Sequence, residues 1–216
     1  MTVIAFNGSP RKNGTTVVLL NKALEGATSQ GAETELIHLN QLNMKGCQAC
    51  FSCKKRGGKS YGKCVQRDDM TVLYQKIEQC DAFFLGSPLY FGTVTASAKM
   101  FIERLYPYLS YKYISSIFPK KINVGLIVTA AADDQQMKLF NQQITVNHLT
   151  FSILFGSAET LVSTDTFHVK DYSKIVADAL EETVDRKLQH QREVFPHDCQ
   201  KAFDMGARFA RQDANA

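Results

Sequence analysis

Apolar residues in this chain come in short uninterrupted runs, and the stretches between them carry helical spacing. Val3 to Phe6 reads as a buried strand, broken by the glycine, proline and polar residues of Asn7 to Gly14. From Thr15 to about Ser29, Val18, Leu19, Ala23 and Leu24 recur at helical spacing, with Gly31 as a stop signal, and Thr34 to Leu39 gives a second strand. Asn40 to Arg67 has no periodicity and reads as a long loop, cysteine-rich over residues 44–67; long loops inside compact domains are usually functional. Asp68 or Asp69 is placed to cap a helix with Met70, Leu73, Tyr74 and Ile77 on its apolar face. Ala82 to Leu85 is then a continuous apolar run, as in a parallel strand buried on both faces, and Gly86-Ser87-Pro88 ends it. Ala96 to Leu105 predicts a short helix, Tyr106 to Pro119 an aromatic connection and Val124 to Val128 a fourth strand. Gln135 to about Leu154 predicts a helix and Glu159 to Val162 a fifth strand. Tyr172, Ile175, Val176, Ala179, Leu180, Val184 and Leu188 again follow helical spacing, and Pro196 separates them from a terminal helical piece.

Strands alternating with helices predict a parallel sheet with helices on both faces, joined by right-handed crossovers. Five strands suit the doubly wound order 2-1-3-4-5, whose reversal lies between strands 1 and 3. The expected ligand crevice is therefore where the loops Asn7 to Thr16 and Ser87 to Thr95 meet. Residues 1–216 read as one domain with a helical extension from about residue 170.

Composition narrows the class. With 44% hydrophobic and 21% charged residues and five prolines among 216, the chain is an ordinary globular protein with a real core. A net charge of +4 favours an anionic ligand, but 25 basic and 21 acidic residues spread along the chain make no nucleic-acid stripe. Met1 to Phe6 enters the strand pattern at once, with no export signal, and no apolar window is long enough to span a bilayer, so a cytoplasmic protein without membrane partners is expected.

The loop Gly8-Ser9-Pro10-Arg11-Lys12-Asn13-Gly14-Thr15-Thr16 brings backbone amides, hydroxyls, basic side chains and a helix N-terminus to one strand-to-helix turn, as a phosphate site requires. It is neither a Walker loop nor a dinucleotide fingerprint; the plain alternative is a glycine turn capped by Thr15. In the second loop, Gly86 to Thr95, Tyr90 and Phe91 are placed to flank a planar ring, and Gly92 admits close backbone approach; the alternative is an aromatic turn packed into the core.

Together these loops and the helix Ala96-Ser97-Ala98-Lys99-Met100-Phe101-Ile102-Glu103-Arg104 resemble the NADPH-dependent FMN reductase family, with its flavodoxin-like fold, and more narrowly its iron-sulfur flavoprotein branch, over roughly residues 1–165. The resemblance implies that Ser9, Arg11, Asn13, Thr15 and Thr16 hold the FMN phosphate, and that Pro88, Leu89, Tyr90, Phe91 and Gly92 contact the isoalloxazine. A third loop, Thr129-Ala130-Ala131-Ala132-Asp133-Asp134, lacks the glycines often seen there, so only Thr129 is carried over. It further implies NAD(P)H as co-substrate, a quinone, flavin or similar small acceptor, and a homodimer or homotetramer. No catalytic acid–base pair is visible, and none is required where a cofactor carries the chemistry. A rival reading is an electron-transfer module relaying single electrons between FMN, a 4Fe-4S cluster and a ferredoxin-like partner; a more distant one is a nucleotide-binding regulatory protein.

Cys47-x2-Cys50-x2-Cys53-x10-Cys64 offers four thiolates in one loop, enough for a 4Fe-4S cluster, with Lys54, Lys55, Arg56, Lys59 and Lys63 to offset its charge. The related iron-sulfur flavoproteins have a shorter final spacer. A zinc site, a thiol–disulfide pair and cysteines kept without a metal stay open beside the cluster. Cys80 and Cys199 read as small buried hydrophobes. His38, His148, His168, His190 and His197 lack metal-ligand spacing and are nominated for nothing, and Lys99 and Arg104, within reach of a flavin or a pyridine nucleotide phosphate on one reading, read beside Glu103 as solvated charges. The tyrosine-rich segment Tyr106 to Phe118 is a lid, a subunit interface or a surface-packed loop.

Overall fold

The computed structural model describes residues 1–169 and 171–211. In chain order the elements are β1 (Thr2–Asn7), α1 (Thr15–Thr28), β2 (Glu33–His38), α2 (Met70–Gln79), β3 (Ala82–Tyr90), β4 (Thr93–Val94), α3 (Ala96–Arg104), β5 (Leu109–Ser110), β6 (Ser115–Ser116), β7 (Ile122–Thr129), α4 (Asp134–Met137), α5 (Asn141–Phe155), β8 (Gly156–Ser163), α6 (Asp178–Glu181), α7 (Val184–Glu193) and α8 (Phe195–Phe209). The main sheet has the order β2-β1-β3-β7-β8, all parallel, which is the doubly wound order expected, with the reversal between β1 and β3. Among the described residues no helix is long and apolar enough to cross a membrane.

Strand alternation divides the core into two layers. Val3, Ala5, Phe84 and Ile127 face α1 and α8, while Ile4, Phe6, Phe83, Leu85, Leu126 and Val128 face α2, α3 and α5. Phe83 anchors the second layer, with its ring edge-on to Phe6, Phe101, Phe151 and Phe155. Helix α1 carries the loop that follows β1, and α8 lies against it so closely that a Cβ on Gly206 would stand 1.8 Å from the carbonyl oxygen of Ala23.

Three departures from the predicted elements have local causes. Strand β3 does not stop at Leu85: Gly86, Ser87 and Pro88 pair with Ile127, Val128 and Thr129, and Leu89 and Tyr90 turn back against Val94 and Thr93. The helix predicted from Gln135 is interrupted, because Asp133 and Gln136 form a capping box over the short α4 and the chain restarts at Asn141. The helical spacing from Tyr172 to Leu188 resolves into a 3-10 turn at Tyr172–Lys174, α6 and the start of α7, with Val176 fully out in solvent. Val184 and Leu188 face a cleft instead of the sheet. The cysteine-rich segment is a loop with 3-10 turns at Leu39–Gln41 and Ser52–Lys54. The tyrosine-rich connection is a 3-10 turn and a β5–β6 hairpin, with Tyr108 and Phe118 in the core.

Gly206→Ala should lower stability by at least about 1–3 kcal/mol, since the added methyl meets backbone and not a yielding side chain. Urea unfolding followed by circular dichroism measures this, and an unchanged midpoint would refute the close approach of α1 and α8.

Candidate functional site

The site begins at the last residue of β1. The Asn7 side chain is fully buried and organises the loop beyond it: Nδ2 donates to the carbonyl oxygens of Ser9 at 3.1 Å and Arg11 at 3.4 Å, and Oδ1 accepts from the Ser9 amide at 2.9 Å. Its Nδ2 also meets His38 Nδ1 at 2.9 Å, and Ser9 Oγ accepts from the Arg11 amide at 3.2 Å. Gly14 is the N-cap of α1 and supplies no side chain, so the first amides of the helix are left without a side-chain acceptor. An uncapped N-terminus at the rim of a cleft is suited to an anion.

A second set of bonds ties this loop to the one after β3. The Gly8 amide donates to Gly86 O at 2.7 Å, and Gly8 O accepts from Thr95 Oγ1 at 2.6 Å and Ser97 Oγ at 3.0 Å. Thr95 is also the N-cap of α3, and its amide donates to Ser87 Oγ at 3.0 Å. The third loop joins through Thr16 and Thr129, whose hydroxyls lie 2.8 Å apart.

Between these loops lies a cleft of about 1240 Å³. Ser9, Arg11, Asn13, Thr15 and Thr16 line it from the first loop, Pro88, Leu89, Tyr90 and Phe91 from the second and Thr129 from the third. Phe91 is wholly exposed and Tyr90 about half so. Gly92 is not among the lining residues: at φ +78° it completes the β3–β4 turn, and a Cβ there would stand 2.6 Å from the Phe140 ring. The positive φ and the packing against Phe140 reserve this position for glycine.

One wall was missed in the sequence. Thr166, Phe167, His168, Tyr172, Val184 and Leu188 come from the segment after β8 and close the cleft opposite the loops. His168 shares a hydrogen bond with the Tyr172 hydroxyl at 3.2 Å, and burial, aided by nearby Lys187 and Arg11, holds its pKa below the ordinary value. The segment is latched by charge. Arg186 binds Asp165 at 2.8 Å and Asp133 at 3.3 Å, and the buried Lys187 donates to the carbonyl oxygens of Ala131 and Thr166 beneath the third loop. Nothing in the helical spacing of these residues distinguishes a face against a ligand from a face against a sheet.

The cysteine loop forms a second centre. Cys47, Cys50, Cys53 and Cys64 all line one small cavity of about 20 Å³, together with Glu103, Arg104, Tyr106 and Pro107. Ala49 and Phe51 both take positive φ, 51° and 54°, so the chain reverses on each side of Cys50. Such strain in non-glycine residues persists only where the surroundings enforce it. Lys54 staples the loop down: its Nζ donates to the carbonyl oxygens of Tyr106, Pro107 and Leu109 and sits 5.2 Å over the Tyr106 ring. Burial pushes the Cys53 thiol up, against the pull of Lys54, while hydrogen bonding from Ser52 brings Cys50 down. Among the described residues no three His, Cys, Asp or Glu side chains converge as a ready metal site. The donor set of four thiols on one cavity nevertheless fits a thiolate-ligated metal centre in number and in chemistry, and the Arg104 guanidinium beside it would offset the charge of such a centre. Cys80, apart from this group, is buried, with its thiol pushed up to about 12 by desolvation.

Arg104 corrects an expectation. It is not a solvated charge but is 1% exposed, paired with Asp68 at 2.6 Å, and its Nη1 also donates to Lys45 O at 2.9 Å. The long loop between β2 and α2 supplies its partners, which sequence spacing could not reveal.

The sheet order and three loops meeting at its switch point define a flavodoxin-like protein. Residues 1–158 match the NADPH-dependent FMN reductase family, and the chain belongs to that family. An iron-sulfur flavoprotein of Archaeoglobus fulgidus is 38% identical over 122 residues, covering 54% of this chain and 53% of the relative. Another from the same organism is 32% identical over 171 residues, covering 78% and 79%. The chain spans about half the length of most of the curated relatives it matches. Its fold is shared with the NAD(P)H:quinone oxidoreductase from Methanothermobacter marburgensis, at TM-score 0.68 and 13% identity over 98% of both chains. It is shared too with an FMN-dependent NADH-azoreductase from Bacillus anthracis in complex with FMN, at TM-score 0.64 and 10% identity over 98% of this chain and 100% of the other.

Asp68→Asn should destabilise the protein by about 3 kcal/mol at neutral pH by leaving a buried guanidinium unpaired. Burial alone would raise the Asp68 pKa, but the bonds from Arg104, Lys45 and Met70 prevail and hold it below 3.8. A depressed carboxylate contributes stability above its unfolded pKa and loses it as pH falls through the folded value. The wild type should therefore weaken as pH falls below 3.8, and the variant should lack that part of the slope. Urea midpoints across the acid range test this, with equal slopes as the refuting result.

Proposed function

We propose that the chain is an FMN-dependent oxidoreductase that takes electrons from NAD(P)H and passes them through the flavin to a quinone, a flavin or a similar small acceptor. The observation that carries this reading is the meeting of three loops on one cleft of about 1240 Å³ at the switch point of the sheet. Small-molecule pockets run to about 1,000 Å³, so the cleft has room for a flavin with part of a second molecule beside it.

In this reading Ser9, Arg11, Asn13, Thr15 and Thr16 hold the phosphate of FMN at the uncapped start of α1. Pro88 to Phe91 border the isoalloxazine, with the exposed Phe91 and Tyr90 at the open side where a nicotinamide or acceptor would approach. Thr129 braces Thr16, and Thr166, Phe167, His168 and Tyr172 limit access of water. When bound, FMN supplies the hydride acceptor and can release electrons singly or in pairs. The residues of the chain hold it, shield it and set the charge around it.

The four thiols on one cavity favour a second reading, in which Cys47, Cys50, Cys53 and Cys64 hold a 4Fe-4S cluster and a ferredoxin-like protein is the partner. Helix α3 supports it: Thr95 at its start is bonded to the phosphate loop, and Glu103 and Arg104 at its end line the cysteine cavity. Nine residues separate the two ends by only roughly 12 Å of helix rise.

An absorbance spectrum of anaerobically purified protein, with metal analysis and NADH and NADPH oxidation assays, tests both. Flavin bands with turnover on a quinone or free flavin support the first reading. Added broad absorption with about four irons per chain supports the second. A colourless protein that FMN cannot reconstitute overturns both. Arg11→Ala should weaken FMN binding about tenfold in a fluorescence titration, equivalent to about 1.4 kcal/mol, while leaving the melting of the apoprotein unchanged.

A further inference from the structure

The cavity beneath the cysteine loop holds a polar atom without a partner. Arg104 closes α3, and both terminal nitrogens of its guanidinium are occupied: Nη1 donates to Lys45 O at 2.9 Å and Asp68 Oδ2 at 2.6 Å, and Nη2 to Asp68 Oδ1 at 3.2 Å. Nε makes no hydrogen bond, and Ser163 Oγ is the other such buried side-chain atom among the described residues. A buried N–H left unpaired costs about 1–3 kcal/mol, and more on a charged group, so an acceptor for it is expected.

The surroundings limit what that acceptor can be. Arg104 shares its cavity with Cys47, Cys50, Cys53 and Cys64. Glu103 uses its Oε2 to accept from the Cys47 amide at 3.4 Å, and the Tyr74 hydroxyl donates to Arg104 O. Lys54, a second cation on this loop, spends its ammonium on the carbonyl oxygens of Tyr106, Pro107 and Leu109. Arg104 therefore brings a spare donor to a cavity that four thiols line.

We infer that Arg104 Nε–H donates a hydrogen bond to sulfur at the cysteine centre and thereby raises the reduction potential of the cluster held there. The inference rests on the cluster reading given above. A hydrogen bond to a ligating sulfur, like a fixed cation beside it, stabilises the more negative reduced state. The aim of Nε is set by Asp68, which holds the guanidinium fork by both oxygens and is itself fixed by the amides of Lys45 and Met70, each at 3.1 Å. Arg104 is thus a positioned donor whose geometry a lysine cannot reproduce, since one ammonium drawn to Asp68 leaves no N–H directed at the sulfur.

The test compares anaerobic wild type with Arg104→Lys, measuring iron and sulfide content, thermal melting and the cluster midpoint potential by spectroelectrochemical titration. Pulsed EPR of the reduced wild type labelled with ¹⁵N in arginine only reads the hydrogen bond itself, independently of whether the variant folds. The expected result is a nitrogen coupling in the wild type, and in iron-replete Arg104→Lys a lowered potential with that coupling lost. An unchanged potential in an iron-replete variant, or a wild-type spectrum without arginine nitrogen coupling, overturns the inference and leaves the cluster reading standing. A wild type that binds no iron overturns both.

Discussion

The whole cleft depends on the hydrogen bonds that lock the end of β1 to the end of β3. Gly8 is held from both sides, by the carbonyl of Gly86 and by the hydroxyls of Thr95 and Ser97, so the loop after β1 cannot move without the loop after β3. Asn7 fixes the same loop internally, through bonds that no solvent reaches and whose loss would leave buried polar groups unpaired. These bonds hold the strand-to-helix turn open at the start of α1, whose first amides have no side-chain cap.

From that lock the structure extends in two directions. Towards the third loop, Thr16 meets Thr129, and the charged latch of Arg186 and Lys187 on Asp165 brings the segment after β8 over the cleft. Towards the cysteine loop, Thr95 caps α3, and the far end of that helix presents Arg104 to the cavity shared by the four thiols. A short helix thus connects the cleft with the cysteine cavity, and Phe101 anchors it in the core between Phe6 and Phe83.

The strand order was legible because unbroken apolar runs, such as Ala82 to Leu85, mark strands buried on both faces. Both cleft-lining loops were legible because glycine, proline and hydroxyl residues at the ends of those runs mark turns. What stayed hidden depends on distance in the sequence. Arg104 read as a surface charge because its partner Asp68 is 36 residues away in a loop without periodicity. Tyr172 to Leu188 read only as helical spacing, because apolar spacing records that a face is covered and not by what. Gly92 read as a point of close backbone approach, and the need for glycine there, a φ of +78° beside the Phe140 ring, shows only in three dimensions. The cysteine spacing foretold that four thiols would share one place, and left their occupant open.

The phosphate loop as an FMN anchor is tested most directly by titrating the apoprotein with FMN and with riboflavin under identical conditions, following flavin fluorescence. The two ligands share the ring and the ribityl chain and differ in the phosphate. If the amides and side chains from Ser9 to Thr16 hold that phosphate, FMN should bind on the order of 100-fold more tightly, about 2.7 kcal/mol, with the advantage shrinking as salt rises. Equal affinity for the two would contradict it.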